Sequence, residues 1–404
     1  MILARSPYIQ FYNDGSLEDL ELELYFYQGT QGTTASQNDR PTNPQITIAA
    51  DVDANGEVAI DISPYIRDYF DTFVQKDYAA RSVDIIWVAQ RVRKDVGSGL
   101  GAWSAYGDSV IACNGYNYPI EGVNFDGSDA FDTHFLTDAP YLYLPTDVGW
   151  EWSCVIQPQR GTGGTHRAWY QYNLDAAWGT YIPIGTGESV LRKITLSTEY
   201  ILHASPVSLA GYTADWARTK FPCRLSVETT TGTAAYSLPI RFFQPPRGET
   251  SATDTARMIP NWERIVFLNR YGVPESLYFY GKRTDTYSVT DSKYRHNTLE
   301  SGTYKLYNHF NSVLNKQGTQ TITLNSGWYP EEFNEIFKQL FLSEKVWLVQ
   351  GYKGWFSNSN GAAYTPQPLN VVSRSFKTKT QHNERVINYE VSFEFSHNTI
   401  NDIS

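Results

Sequence analysis

Asp51-Val52-Asp53-Ala54-Asn55-Gly56 has the acid and amide spacing of the first half of a calcium-binding loop. A hard cation needs such a run of oxygens, but it also needs a bidentate carboxylate at the twelfth position, where Ile62 stands. The segment therefore reads as a polar turn. Asp126, Asp129 and Asp132 bring three carboxylates close together, a spacing that solvated turn residues adopt equally well. Asp132-Thr133-His134 sets an acid beside a base, yet no Gly-x-Ser-x-Gly elbow supplies the nucleophile of a hydrolase triad. Histidines 134, 166, 203, 296, 309, 382 and 397 form no His-x-His or His-x-x-x-His pair of the kind that grips zinc. Gly161-Thr162-Gly163-Gly164-Thr165-His166 lacks the Lys-Ser/Thr of a phosphate loop, and Gly97, Gly99 and Gly101 lack the continuation of a dinucleotide fingerprint. Carboxylate pairs suited to a glycosidase occur in any acidic chain, with nothing here to fix their separation. No catalytic residue, metal ligand or cofactor site is assigned, and the expectation is a protein that is not an enzyme.

What the chain does have is aromatic surface. Its 11 Trp, 29 Tyr and 20 Phe make up 15% of the residues. Flat, half-polar rings serve both β-cores and contact surfaces. Trp150, Trp152, Trp169 and Trp178 fall in a Gly- and Asp-rich region, which makes them candidate glycan-stacking or interface residues. Filling small β-cores is the plainer use of most of these rings.

The bulk numbers narrow the classes further. A length of 404 residues points to two or three domains. The net charge of −10 argues against a nucleic-acid coat or an anionic-membrane binder, both of which need clustered Lys and Arg. Cys113, Cys154 and Cys223 are too few for a disulfide scaffold, and their odd number leaves at least one thiol free, as in a reducing cytoplasm; pairing among them stays open. The first residues have no signal-peptide core, and no run reaches the roughly 18 apolar residues of a membrane span. A soluble protein without membrane insertion is expected.

The elements follow from periodicity. Leu20, Leu22, Leu24 and Phe26 alternate with Glu21, Glu23, Tyr25 and Tyr27, predicting a strand with one buried face. Asn55-Gly56 between two apolar runs predicts a hairpin joining 45–48 to 58–62. Ser63 as N-cap and Pro64 as first helical residue predict a helix over 64–73, with Ile66, Tyr69, Phe70 and Phe73 on one face. A strand follows from Val83 to Val92. Residues 1–95 thus form an N-terminal β-rich module.

From 96 to 250, opened by a flexible Gly97–Gly101 stretch, short aromatic runs between Gly, Pro and Asp clusters suggest a β-sandwich-like middle domain. Pro245 to Ser251 reads as a linker. In the C-terminal module, 257–404, Arg264–Leu268 and Ser276–Tyr280 flank Asn269-Arg270-Tyr271-Gly272 as a hairpin. Thr319–Leu324 alternates as a strand. A helix over 330–341 opens on Glu331 and Glu332 at its positive end and carries the stripe Phe333, Ile336, Phe337, Leu340, Phe341. Val346–Val349 and two long strands, Pro368–Thr378 and Glu384–Phe395, complete it. The fold class is mainly β: multi-domain, of β-barrel or β-sandwich modules, with two short helices in strand–helix–strand units near both ends.

The C-terminal segments Arg264–Val273, Leu277–Tyr280, Thr321–Trp328, Glu331–Trp347, Ser373–Lys377 and Tyr389–Phe395 resemble virion structural proteins of tailed phages of Bacteroidetes and marine bacteria. Arg5–Tyr8 and Ile60–Tyr69 look like the opening of the same proteins. The resemblance covers something under half the chain and leaves out the middle domain. It implies a tail or baseplate component of the virion, a ring or adaptor subunit assembled in the host cytoplasm. Its partners would be copies of itself in a symmetric ring and other virion tail proteins, and it carries no catalytic residues to transfer. The alternative is a carbohydrate-binding or polysaccharide-degrading receptor-binding tail-tip protein, with the four tryptophans facing a host surface glycan.

Overall fold

The computed structural model describes residues 2–28, 40–73, 85–107, 109–117, 136–145, 151–156, 165–171, 179–186, 192–197, 223–229, 236–243, 262–295, 311–350, 366–373, 375, 377–378, 385–397 and 399–401. Among them are twenty-four strands and two α-helices, so the protein is mainly β. The chain divides into two compact units. The first is Met1–Gln244 with Phe267–Ser276, and the second is Pro245–Val266 with Leu277–Ser404.

The first unit begins with β1 (Ile2–Leu3), β2 (Ile9–Asn13), β3 (Asp19–Gln28), β4 (Ile46–Asp51), β5 (Glu57–Asp61), helix α1 (Ser63–Phe73), β6 (Ile85–Asp95) and β7 (Val110–Cys113). One sheet has the order β1-β7-β6-β3-β4, while β2 and β5 form a separate pair. The turn expected at Asn55-Gly56 is present, closed by the Gly56 amide on the Asp53 carbonyl at 3.0 Å. The ladder expected beyond it is not: β4 pairs with β3 and β5 with β2. The two strands part, β4 to the long strand β3 and β5 to β2, and both bury side chains in one core. Leu20, Leu22, Leu24 and Phe26 of β3 meet Val58 and Ile60 of β5 and Ile66 and Phe70 of α1 there. At the start of α1 the Ile62 carbonyl accepts the Ile66 amide. The Ser63 hydroxyl donates to Asp61 Oδ1 at 2.7 Å, so it serves the preceding strand rather than capping the helix.

β3 departs from the one-sided expectation. Its other face is buried too, with Glu23, Tyr25 and Tyr27 at 7%, 0% and 6% exposure. Strict alternation had marked that face for solvent. Beyond β6, Gly97–Gly101 forms an ordered turn in which Asp95 Oδ1 accepts the amides of Gly97, Ser98 and Gly99 at 2.9, 3.1 and 2.9 Å. The chain then returns along β6 through Gly101, Ser104 and Gly107, whose amides bond to the Lys94, Val92 and Gln90 carbonyls.

The rest of this unit is β8 (Leu142–Pro145), β9 (Glu151–Ile156), β10 (Thr165–Gln171), β11 (Gly179–Thr186), β12 (Arg192–Ser197), β13 (Cys223–Thr229) and β14 (Tyr236–Phe243). They form a five-stranded sheet, β11-β10-β13-β14-β8, and a β12-β9 pair.

The second unit is built on a sheet of order β16-β15-β20-β21-β23-β18-β17, with β24 also paired to β18. Its strands are β15 (Glu263–Leu268), β16 (Pro274–Phe279), β17 (Arg283–Arg295), β18 (Asn311–Asn325), β20 (Val346–Gln350), β21 (Gln367–Val371), β23 (Glu390–Phe395) and β24 (Thr399–Asn401). β19 (Tyr329–Pro330) pairs with β22 (Val386–Ile387). A 3₁₀ turn, Glu331–Phe333, leads into helix α2 (Asn334–Leu342), so the expected helix starts as a tighter coil. Phe333, Ile336, Phe337 and Leu340 are buried at 3% or less, while Phe341, the fifth residue of the expected stripe, is half-buried. Phe337 meets Phe279, Tyr329 and Tyr389 at ring separations of 6.2, 5.3 and 5.0 Å.

The two long C-terminal strands come out shorter. One is β21 alone, and the other is broken into β22 and β23. At the break, Asn388 exchanges amide hydrogen bonds of 2.9 and 3.0 Å with Asn325, which takes the place of a backbone ladder.

Candidate functional site

Two features stand out, one in each unit. In the first, the covering of the second face of β3 comes from far along the chain. Tyr271 and Val273, in the turn between β15 and β16, pack with Tyr25, Tyr27, Trp87, Ala89, Ile111, Cys113 and Leu136. The turn closes as the sequence suggested, with the Gly272 amide on the Asn269 carbonyl at 2.9 Å. Gly272 has φ +75°, and a Cβ there would lie 2.6 Å from the Asn114 carbonyl carbon. Only glycine allows both the left-handed backbone and this approach.

Packing the turn this way buries polar groups, and each must find a partner. Asn269 uses all of its capacity. Its amide donates to the Leu136 carbonyl and to Glu275 Oε2, at 2.8 and 2.9 Å. Its Oδ1 accepts the amides of Tyr271 and Val273, at 3.0 and 3.3 Å. Glu275 Oε1 accepts the Thr137 hydroxyl at 2.6 Å. Burial pushes the Glu275 carboxyl up to about 7; the Thr137 and Asn269 hydrogen bonds oppose this, and the nearby Asp138 charge adds to it. Beside it Arg270 pairs with Asp138 at 2.5 Å and donates to Asn117 Oδ1 at 3.2 Å. The Tyr271 hydroxyl donates to Asp138 at 2.9 Å, and burial, with that carboxylate, raises its phenol well above the ordinary value.

Chemically, Glu275 is a proton-exchanging group poised near neutrality. Its oxygens are engaged within the protein and it is only 8% exposed. The arrangement fixes the turn on the sheet.

On the same face, Glu21 and Glu23 of β3 stand directly opposite Arg93 and Arg91 of β6. Both pairs are ion pairs. Burial works against the charge on Glu23, but the hydrogen bonds from Arg91 and Tyr25 outweigh it and hold the carboxyl below its usual range. Arg91 and Arg93 also lie over the Trp103 ring at 4.9 and 4.6 Å, so these charges are consumed in holding the sheet's rim together.

The second feature is the ribbon of β17 and β18 at the edge of the second unit's sheet. β17 and β18 pair from Arg283–Leu324 out to Arg295–Asn311, with an irregularity between Ser292 and Lys293. β23 accompanies β18 only over Thr321–Asn325, and β24 only over Lys316–Gly318. After Arg283 every residue of β17 is exposed. Of this ribbon, periodicity predicts only Thr319–Leu324 and no strand over 283–295. The signal lay in propensity, since Thr284, Thr286, Tyr287, Val289, Thr290 and Tyr294 are all strand formers. Apolar–polar alternation is short here, limited to Tyr287 and Val289 between Thr286, Ser288 and Thr290.

Of the tryptophans singled out, Trp150 and Trp178 lie outside the described residues, as do the Asp126–Asp132 cluster and His134. Trp152 lies on β9 opposite Leu196, and Trp169 on β10 between Tyr181 and Ser226, so the two are on different sheets; their side chains are outside the described set. Asp53 serves its own turn, its Oδ1 accepting the amides of Asn55 and Glu57 at 2.9 and 2.7 Å. Among the described residues no three His, Cys, Asp or Glu side chains group to hold a metal ion, and no helix is long and apolar enough to cross a membrane. Cys113 is buried with its thiol unbridged. Comparison with known proteins finds no matching family model and no similar curated protein.

Proposed function

We propose that this chain is a structural component of a tailed-phage virion, a tail or baseplate ring or adaptor subunit that works by protein–protein assembly. The observation that carries this reading is the β17–β18 ribbon. Among the described residues β17 is the edge strand of its sheet, 13 residues long and exposed after Arg283, and a long exposed edge invites association. Such an element makes physical sense in a protein that meets a partner. The sequence resemblance at both ends supplies the virion context.

The test is the composition of purified particles of the source phage and a cryo-microscopy map of them. The chain is expected at fixed stoichiometry in repeated, symmetry-related density of the tail. A chain absent from intact particles would overturn the reading.

A further inference from the structure

Resting on that assembly reading, we infer that the ribbon of β17 and β18 seats on the acidic body of a second copy of this chain. The register defines its two faces, because directly opposed residues in an antiparallel pair share a side. Thr284, Thr286, Ser288 and Thr290 oppose Thr323, Thr321, Thr319 and Gln317, so one face is hydroxyl and amide throughout. On the other, Asp285, Tyr287, Val289 and Asp291 oppose Ile322, Gln320, Gly318 and Lys316. This second face is the outward continuation of the core side, since Ile322 and Leu324 share its parity and are 0% and 1% exposed. Along the ribbon Tyr287 and Val289, set between Asp285 and Asp291, continue this side beyond the cover and are 54% and 59% exposed. Tyr287 packs against Gly318, where a Cβ would come within 2.7 Å of its ring.

Charge selects the occupant. The two strands carry Arg283, Lys293, Arg295 and Lys316 against Asp285 and Asp291, a basic excess in a chain whose net charge is −10. A basic ribbon repels another ribbon and is attracted to the acidic remainder of an identical neighbour. The contact is then head-to-tail, the type of interface that closes into a ring.

The full-length chain is the material for the experiment, with sedimentation velocity across protein and salt concentration as the readout. Wild type is expected to oligomerise, and to do so less at high salt. Tyr287→Ser with Val289→Ser, and separately Lys293→Glu with Lys316→Glu, are expected to weaken association at least about tenfold. Far-ultraviolet circular dichroism and melting should stay as in wild type. A photo-crosslinker at Val289 in the otherwise unaltered chain should capture a peptide of a second copy. A monomeric wild type, unweakened variants, or crosslinks only within one chain would overturn the inference. A monomer that still enters particles sinks this inference and leaves the virion reading standing. Ribbon-dependent oligomers in a protein absent from particles do the reverse.

Discussion

Glu275 couples the packing of the first unit to pH. Its carboxyl is held at about 7 in the fold against an ordinary 4.5, so between these values the folded state keeps a proton that the unfolded chain has lost. Stability from this group is therefore fullest below about 4.5, declines as pH rises toward 7, and is level above that, a span of at most ~3 kcal/mol. Calorimetric melting of wild type and Glu275→Gln from pH 4 to 8 checks this. The variant should lose the slope that wild type shows over this interval, and an unchanged slope would refute the assignment to Glu275. Gly272 offers a second single-residue test. Gly272→Ala adds a Cβ where φ is +75° and the Asn114 backbone blocks it, and should cost about 2 kcal/mol or more in chemical unfolding. A neutral result would mean that the turn is not held against residues 114–115 in solution.

Among elements, helix α2 and the ribbon mark opposite extremes of burial. Phe337 is fully buried among Phe279, Tyr329 and Tyr389, so Phe337→Ala should cost about 3–5 kcal/mol. Trp328, just before β19, is 60% exposed, and what Tyr280 uses there is its backbone carbonyl. Trp328→Ala should therefore shift stability by less than about 0.5 kcal/mol. Denaturant titration of both variants separates buried from exposed aromatic surface; equal losses would contradict the packing described. The aromatic abundance thus has two outlets in the second unit, a ring cluster around α2 and uncovered rings along β17. The helix stripe was legible because Phe333, Ile336, Phe337 and Leu340 recur at helical spacing. Periodicity misses the ribbon because its apolar–polar alternation is short, limited to Tyr287 and Val289. The Asn55-Gly56 turn was legible as well, but β4 and β5 took other partners, since pairing depends on which strands lie alongside and not on the turn between them.

For the molecule as a whole, the sequence by itself determined the β-dominated class, the two helices with Ile66 and Phe70 buried on one and Phe333, Ile336, Phe337 and Leu340 on the other, and the turns at Asp53–Gly56 and Asn269–Gly272. These are local consequences of periodicity, glycine at positive φ, and carboxylates that accept nearby amides. Tertiary structure decided which strands became neighbours and what covered the second face of β3. It also joined buried Asn269 and Glu275 and half-buried Asp138 and Arg270 at one place, although no spacing joins residues 136–138 to 269–275. The physical reason is that burial is a property of surfaces meeting. Tyr25 and Tyr27 alternate as solvent-facing residues would, and the arrival of Tyr106, Leu136, Tyr271 and Val273 from farther along the chain takes them out of water.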